Sequence, residues 1–242
     1  TMFEGVTGLA PGEWSLYSTS DFSVLDHGSC WDTDSGSVVE SGDTRSVIED
    51  SVVRHLRTDV PMCALLSGGL DSSIIAKVAM DQLGELNTFC AGARVAGFDD
   101  DFVMAREVSE YLGTRHTEVV VDSGMFVQRW RSMIDTIGVP MSTPNEVAIY
   151  EVCAALRSEG FKVALSGEGA DELFGGYEMP MVQARAFVDS VVGGDSVAGA
   201  FHLQSNAWVN DQAKPMLMRS GWLESVQGDG ELRGWYQSSF DA

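Results

Sequence analysis

From residue 60 onward the hydrophobic pattern switches repeatedly between two periods. The run "MCALL" (62–66) reads as a strand, and a helical repeat follows over 71–83. "NTFCAGA" (87–93) reads as a second strand, followed by a helical pattern from Asp99 to Leu112 that stops at Gly113. "RHTEVVV" (115–121) is a third strand. Two helical patterns, 123–137 and 145–159, come next, the second just after Pro144. "KVALS" (162–166) is a fourth strand, and after Gly176 the pattern is helical to about residue 222. Short apolar strands alternating with helices cannot close as hairpins. They require crossovers, and so predict an α/β fold: a parallel sheet flanked by helices, with right-handed connections and a helical C-terminal region.

The first 40 residues differ. They are rich in turn formers and aromatics, and alternation at Trp14, Leu16 and at Phe22, Val24 predicts a short hairpin. Residues 43–58 read as a helix capped by Asp43 or Thr44, with Ile48, Val52 and Leu56 on one stripe. No internal repeat or low-complexity segment interrupts the chain.

Composition narrows the function. The 242 residues, 44% of them hydrophobic, suffice for one sizeable core. The formal charge is −21, with three lysines and 12 arginines. Such an acidic chain predicts no nucleic-acid partner and no anionic membrane partner, since both need a basic surface. The apolar runs are broken every few residues, and the N-terminus lacks a signal-peptide layout. Cys30, Cys63, Cys90 and Cys153 form no CxxC pair and read as free buried thiols of a reducing cytoplasm. An anionic ligand here would need backbone N–H groups and metal ions to overcome the repulsive field.

"SGGLDSS" (67–73) lies where the first strand meets its helix. In a parallel sheet this is the ligand-binding edge. Gly68 and Gly69 let backbone approach a ligand, the helix N-terminus offers unpaired N–H groups, and Ser67, Ser72 and Ser73 add hydroxyls. These make an anion cradle. Asp71 repels phosphate unless a Mg²⁺ lies between them. No GK[ST] follows, so this is not a Walker loop. "SGEGADELFGGY" (166–177) repeats the layout after the fourth strand: glycine turn, acidic residues, helix. Glu168, Asp171 and Glu172 would repel one another without a cation or shared proton. If both loops open on one sheet edge, Asp71 and Asp171 can face a single metal ion.

The first loop resembles the PP-loop of the ATP pyrophosphatases. With the second loop, the chain resembles the synthetase domain of glutamine-hydrolysing asparagine synthetases. "TMFEGVTGLAPGEWSL", "FDDDFVMAREVSEYLGTRHTEVVV" and "STPNEVAIYEVCAALRSEGFKVALSGEGADELFGGY" carry the resemblance over about residues 1–180. It implies that residues 1–40 are an entry segment from a missing N-terminal domain. It also implies that residues 41–242 are the PP-loop synthetase domain, truncated at its C-terminus.

The resemblance further implies an ATP-dependent, AMP-forming ligase. The aspartate side chain is activated as β-aspartyl-AMP with release of pyrophosphate, and ammonia then gives asparagine. Leu66 and Ala91 would flank adenine, and Ser166 and Gly167 would contact the nucleotide. Ser67, Gly68, Gly69, Asp71, Ser72 and Ser73 would hold pyrophosphate. Asp71 and Asp171 would share Mg²⁺, and Glu168 matches the carboxylate needed to form the intermediate. The partners implied are ATP, Mg²⁺, aspartate or another carboxylic acid, ammonia, and a glutaminase domain or subunit.

Two departures from the family pattern matter. The 242 residues include no N-terminal Cys nucleophile. The family's tail lysine and E-x-R-x-PFLD segment have no match in the 65 residues after Tyr177, where Lys214 is the only lysine and reads as a surface residue. Two other readings therefore stand beside the first: a relative acting on another acid, or a non-catalytic ATP-binding remnant.

Other residues are read as structural. His116 has no partner at ligand spacing, Asp99–Asp101 suit the start of a helix, and Trp130, Met133 and Ile137 share a core-facing stripe. For Tyr177, lining the substrate pocket and simple packing are both open.

Overall fold

The computed structural model describes residues 5–10, 12–30, 43–94, 102–191 and 213–217, with isolated positions from 203 to 234. Two compact units divide the chain, Thr1–Ser51 and Val52–Ala242.

The first unit holds the hairpin. β1 (Glu13–Tyr17) and β2 (Val24–Ser29) pair antiparallel, with Trp14 opposite Gly28 and Leu16 opposite Asp26. The Trp14 ring lies over Gly28, where a Cβ would come within 3.1 Å of it. Phe22 stands in the connecting turn at φ 56° rather than in the strand, and its N–H donates to the Ser18 carbonyl at 3.0 Å. The helix expected at 43–58 is α1 (Thr44–His55), which begins in this unit and ends in the next.

The second unit carries β3 (Met62–Leu65), β4 (Asn87–Gly92), β5 (Arg115–Val120) and β6 (Val163–Leu165). All three pairings are parallel and the order is β5-β4-β3-β6. The crossovers run through α2 (Leu70–Leu83), α3 (Val103–Leu112), and the pair α4 (Ser123–Ile137) and α5 (Asn145–Ser158). After β6 come α6 (Ala170–Phe174) and α7 (Glu178–Val191), and Lys214–Leu217 forms a further helical turn.

Burial explains why the strands are apolar runs rather than alternating ones. On one face, small residues let α2 close on β3: Ala64, Leu66, Ala76, Ala79 and Leu86 form one buried cluster. On the other face, Cys63 and Phe89 pack under Val152 and Leu156 of α5. Phe161 meets Phe89 edge-on at 5.6 Å. Helices thus cover both faces, as a parallel sheet requires. Burial pushes the Cys63 thiol up to about 11.

Several expectations need correction. All four cysteines are free, but Cys30 and Cys153 are exposed, and only Cys63 and Cys90 are buried. Met133 is buried and Trp130 packs against its cluster, whereas Ile137, in the last turn of α4, is 53% exposed. Lys214 opens the short helical turn Lys214–Leu217 and is partly exposed. The segment Asp99–Asp101 lies outside the described residues, and α3 begins at Val103 after the fully buried Phe102. His116 is structural: its Nδ1 shares a 2.9 Å hydrogen bond with Thr88 Oγ1, which also meets Thr114 Oγ1 at 2.9 Å.

Candidate functional site

The chain runs β3 to β4 to β5 in one direction, then β6 returns to the free side of β3. Strand order therefore reverses between β3 and β6. The crevice beyond the carboxyl ends of such a pair is where open parallel sheets bind ligands. "SGGLDSS" leaves β3 at this edge and "SGEGADELFGGY" leaves β6 beside it, with Ala64 in register with Leu165.

One cavity of about 300 Å³ opens there. Leu66, Ser67, Gly69, Asp71, Ser72, Ala91, Ser166, Gly167, Glu168 and Asp171 all line it. Of the residues the sequence assigns to nucleotide, pyrophosphate or metal, Gly68 and Ser73 are not in its wall. Gly68 turns its side-chain position to α3. Its φ is +82°, and a Cβ there would fall 2.4 Å from the Met104 carbonyl carbon, so the loop is packed against the first turn of α3.

The first loop is organised by its own hydroxyls. Gly69 caps α2 in an extended conformation, and no side-chain cap bonds the start of this 14-residue helix. Ser72, 9% exposed, donates its hydroxyl to the Gly69 carbonyl at 3.2 Å, and the Ser67 N–H donates to Ser72 Oγ at 3.3 Å. Ser73 Oγ donates to the same carbonyl at 2.6 Å. Ser67 Oγ accepts from the Gly69 N–H at 3.3 Å and lies 3.0 Å from Ser72 Oγ, so all three hydroxyls expected to face phosphate also brace the loop.

The second loop folds around a short helix. α6 lies between Gly169 (φ +89°) and Gly175 (φ +69°). Asp171 and Glu172 share its first turn. The Tyr177 hydroxyl donates to Glu172 Oε1 at 2.7 Å. That hydrogen bond holds the Glu172 carboxyl below its ordinary range and pushes the Tyr177 phenol up to about 12. Tyr177 itself lines the cavity, which places it in the pocket.

The loops touch. A Cβ on Gly167 would lie 3.0 Å from Asp71 Cβ and 3.4 Å from the Ser72 nitrogen.

Sequence reasoning missed part of the wall. Leu65, Phe89 and Cys90 come from the strands, and Ala148, Ile149 and Val152 from α5. The i, i+1, i+4 apolar spacing of the α5 residues was the available signal. α5 is held by Arg129 of α4, which bonds Glu151 (9% exposed) while its guanidinium stacks 4.3 Å from the Tyr150 ring centroid.

Electrostatics set the chemistry. Among the described residues lining the cavity, Asp71, Glu168 and Asp171 are the charged ones, and all are carboxylates. No group of three or more acidic, histidine or cysteine side chains is close enough to hold a metal ion by itself among the described residues. A divalent cation held by Asp71 and Asp171 would complete its shell with ligand oxygens and water, a donor set that suits Mg²⁺.

The asparagine synthase family profile matches residues 43–235, most of the chain and both loops. The chain belongs to the asparagine synthase family. It is 39% identical over 149 residues to asparagine synthetase [glutamine-hydrolyzing] 3 of Arabidopsis thaliana, covering 55% of this chain and 25% of that protein. It is 37% identical over 137 residues to asparagine synthetase [glutamine-hydrolyzing] 1 of Bacillus subtilis, covering 57% of this chain and 21% of that protein. The matches to these curated relatives thus span about a quarter of their length or less. Among solved structures, an NMN synthetase from Francisella tularensis matches with a TM-score of 0.36 and 16% identity over 50% of this chain and 54% of that one. No helix among the described residues is long and apolar enough to cross a membrane.

Proposed function

We propose that this member of the asparagine synthase family binds ATP with Mg²⁺ in the β3–β6 crevice and activates a carboxylic acid for amide formation. The acid is the side chain of aspartate. A carboxylate oxygen attacks the α-phosphorus, pyrophosphate leaves, and the acyl adenylate forms. Ammonia then attacks the carbonyl carbon and AMP leaves, giving asparagine.

The observation that supports this reading most is the contact of Gly167 with Asp71, because it brings two glycine loops and two aspartates to one cavity. The bare N-terminus of α2 and the backbone of residues 67–69 hold pyrophosphate, and Ser67 and Ser72 shape that cradle. Asp71 and Asp171 hold Mg²⁺, which when bound neutralises charge developing on the leaving pyrophosphate. Leu66, Ala91 and the α5 residues Ile149 and Val152 form the apolar wall for adenine. Ser166 and Gly167 contact the nucleotide, and Glu168 is the loop carboxylate required for forming the acyl adenylate. Nitrogen arrives as free ammonia or from a glutaminase domain or subunit, and four free thiols suit a reducing cytoplasm.

The test is ATP–pyrophosphate exchange with a panel of amino acids and Mg²⁺. Exchange that appears with aspartate supports the reading. Exchange with another acid alone reassigns the substrate, and exchange indifferent to any acid contradicts it.

A further inference from the structure

Asp171 and Glu172 are consecutive carboxylates in one helical turn, yet only Asp171 lines the cavity. A five-residue helix flanked by two left-handed glycines is too short to fix its own orientation. The returning segment, residues 175–177, does so. The N–H groups of Gly175 and Gly176 both bond the Asp171 carbonyl, the second at 3.0 Å. Gly176 sits so close that a Cβ would fall 1.8 Å from Asp171 Oδ1. One residue on, Tyr177 reaches back to Glu172 while its own side chain walls the cavity.

We propose that Tyr177 is a positioning residue that sorts these two carboxylates, tethering Glu172 outside the cavity so that Asp171 alone of the pair faces the metal–nucleotide. This rests on the function proposed above. Adjacent carboxylates have nearly equal claims on a cation, and an extra one beside a triphosphate repels it. A phenol donating to an ionised carboxylate makes a charge-assisted hydrogen bond strong enough to decide between them. The tether also links the tyrosine wall of the pocket to the metal-facing helix.

The test uses Mn²⁺ as the metal probe with α,β-methylene-ATP, and reads the dissociation constant by electron paramagnetic resonance on the full chain. Tyr177→Phe keeps the ring and loses the donor. It is expected to weaken binding of the Mn²⁺–nucleotide complex about tenfold. Glu172→Gln still accepts from the phenol and is expected to bind like the unsubstituted protein. In the double variant Tyr177→Phe/Glu172→Gln the released side chain carries no charge, so binding returns to within about twofold of the original. Rescue of this kind is not expected if Tyr177 only packs. Unchanged binding in Tyr177→Phe, or a double variant as weak as Tyr177→Phe, overturns the sorting role while leaving the nucleotide site standing. Failure of the unsubstituted protein to bind the complex overturns both.

Discussion

Gly167 of the second loop rests directly against Asp71 of the first: a Cβ would stand 3.0 Å from Asp71 Cβ, so a methyl group there requires the first loop to give by a few tenths of an ångström. This contact sets how closely the two loops approach at the cavity that both aspartates line. Gly167→Ala should push the loops apart and weaken ATP binding about tenfold or more, equal to about 1.4 kcal/mol. Because the site lies at the rim, thermal stability should change little by comparison. Calorimetric titration with Mg²⁺ and ATP checks the first expectation, and a melting curve the second.

Gly68 makes a different demand. Its left-handed backbone and the 2.4 Å approach of a built Cβ to the Met104 carbonyl carbon leave no space for any side chain. Gly68→Ala should cost about 2–4 kcal/mol of folding stability, from strain at positive φ plus displacement of α3. Urea unfolding measures it. A variant as stable as the original would show that α3 yields freely.

Asp71 and Asp171 are the two carboxylates assigned to the metal. Asp71→Asn and Asp171→Asn should each lower pyrophosphate exchange by about a hundredfold or more, because the neutral amide binds Mg²⁺ poorly and leaves pyrophosphate charge uncompensated. Higher Mg²⁺ should partly restore either variant. Exchange kinetics at varied Mg²⁺ separate this from a folding defect, which added metal would not repair.

His116 gives a pH prediction at the opposite end of the sheet. Burial lowers its value below the ordinary imidazole 6.5, opposed by Glu118 and assisted by Arg106. Its Nε2 is buried without a hydrogen-bond partner. The unfolded chain therefore binds a proton more readily than the folded one. This contribution to stability is complete above the unfolded value and is lost as pH falls from there through the folded value. His116→Gln should flatten the pH dependence of unfolding free energy below about pH 6.5. Urea titrations across about pH 5 to 8 test it, and an unchanged slope would assign the acid sensitivity elsewhere.

Much of this architecture was legible in the sequence because strand and helix periods alternate cleanly and each glycine loop follows an apolar strand. The loops' convergence was legible only as a condition. It depends on β6 returning to the free side of β3, which no local pattern specifies. For the same reason the α5 wall escaped notice: Ala148, Ile149 and Val152 belong to a plain helical pattern, and only the crossover that carries their helix over β4 brings them to the cavity. Gly68 reads as glycine because a ligand comes close to its backbone, and the structure adds a second demand that no local pattern shows, the close packing of α3. Ile137 follows the helical stripe of Trp130 and Met133, yet the helix ends there and the core does not reach it.

The most direct measurement of the central claim is calorimetric binding of ATP with and without Mg²⁺, on the original chain and on Asp71→Asn. One nucleotide should bind per chain, with affinity that depends on Mg²⁺ and drops when Asp71 is neutralised. Equal binding in the absence of metal and in the Asp71 variant, or no binding at all, would contradict it.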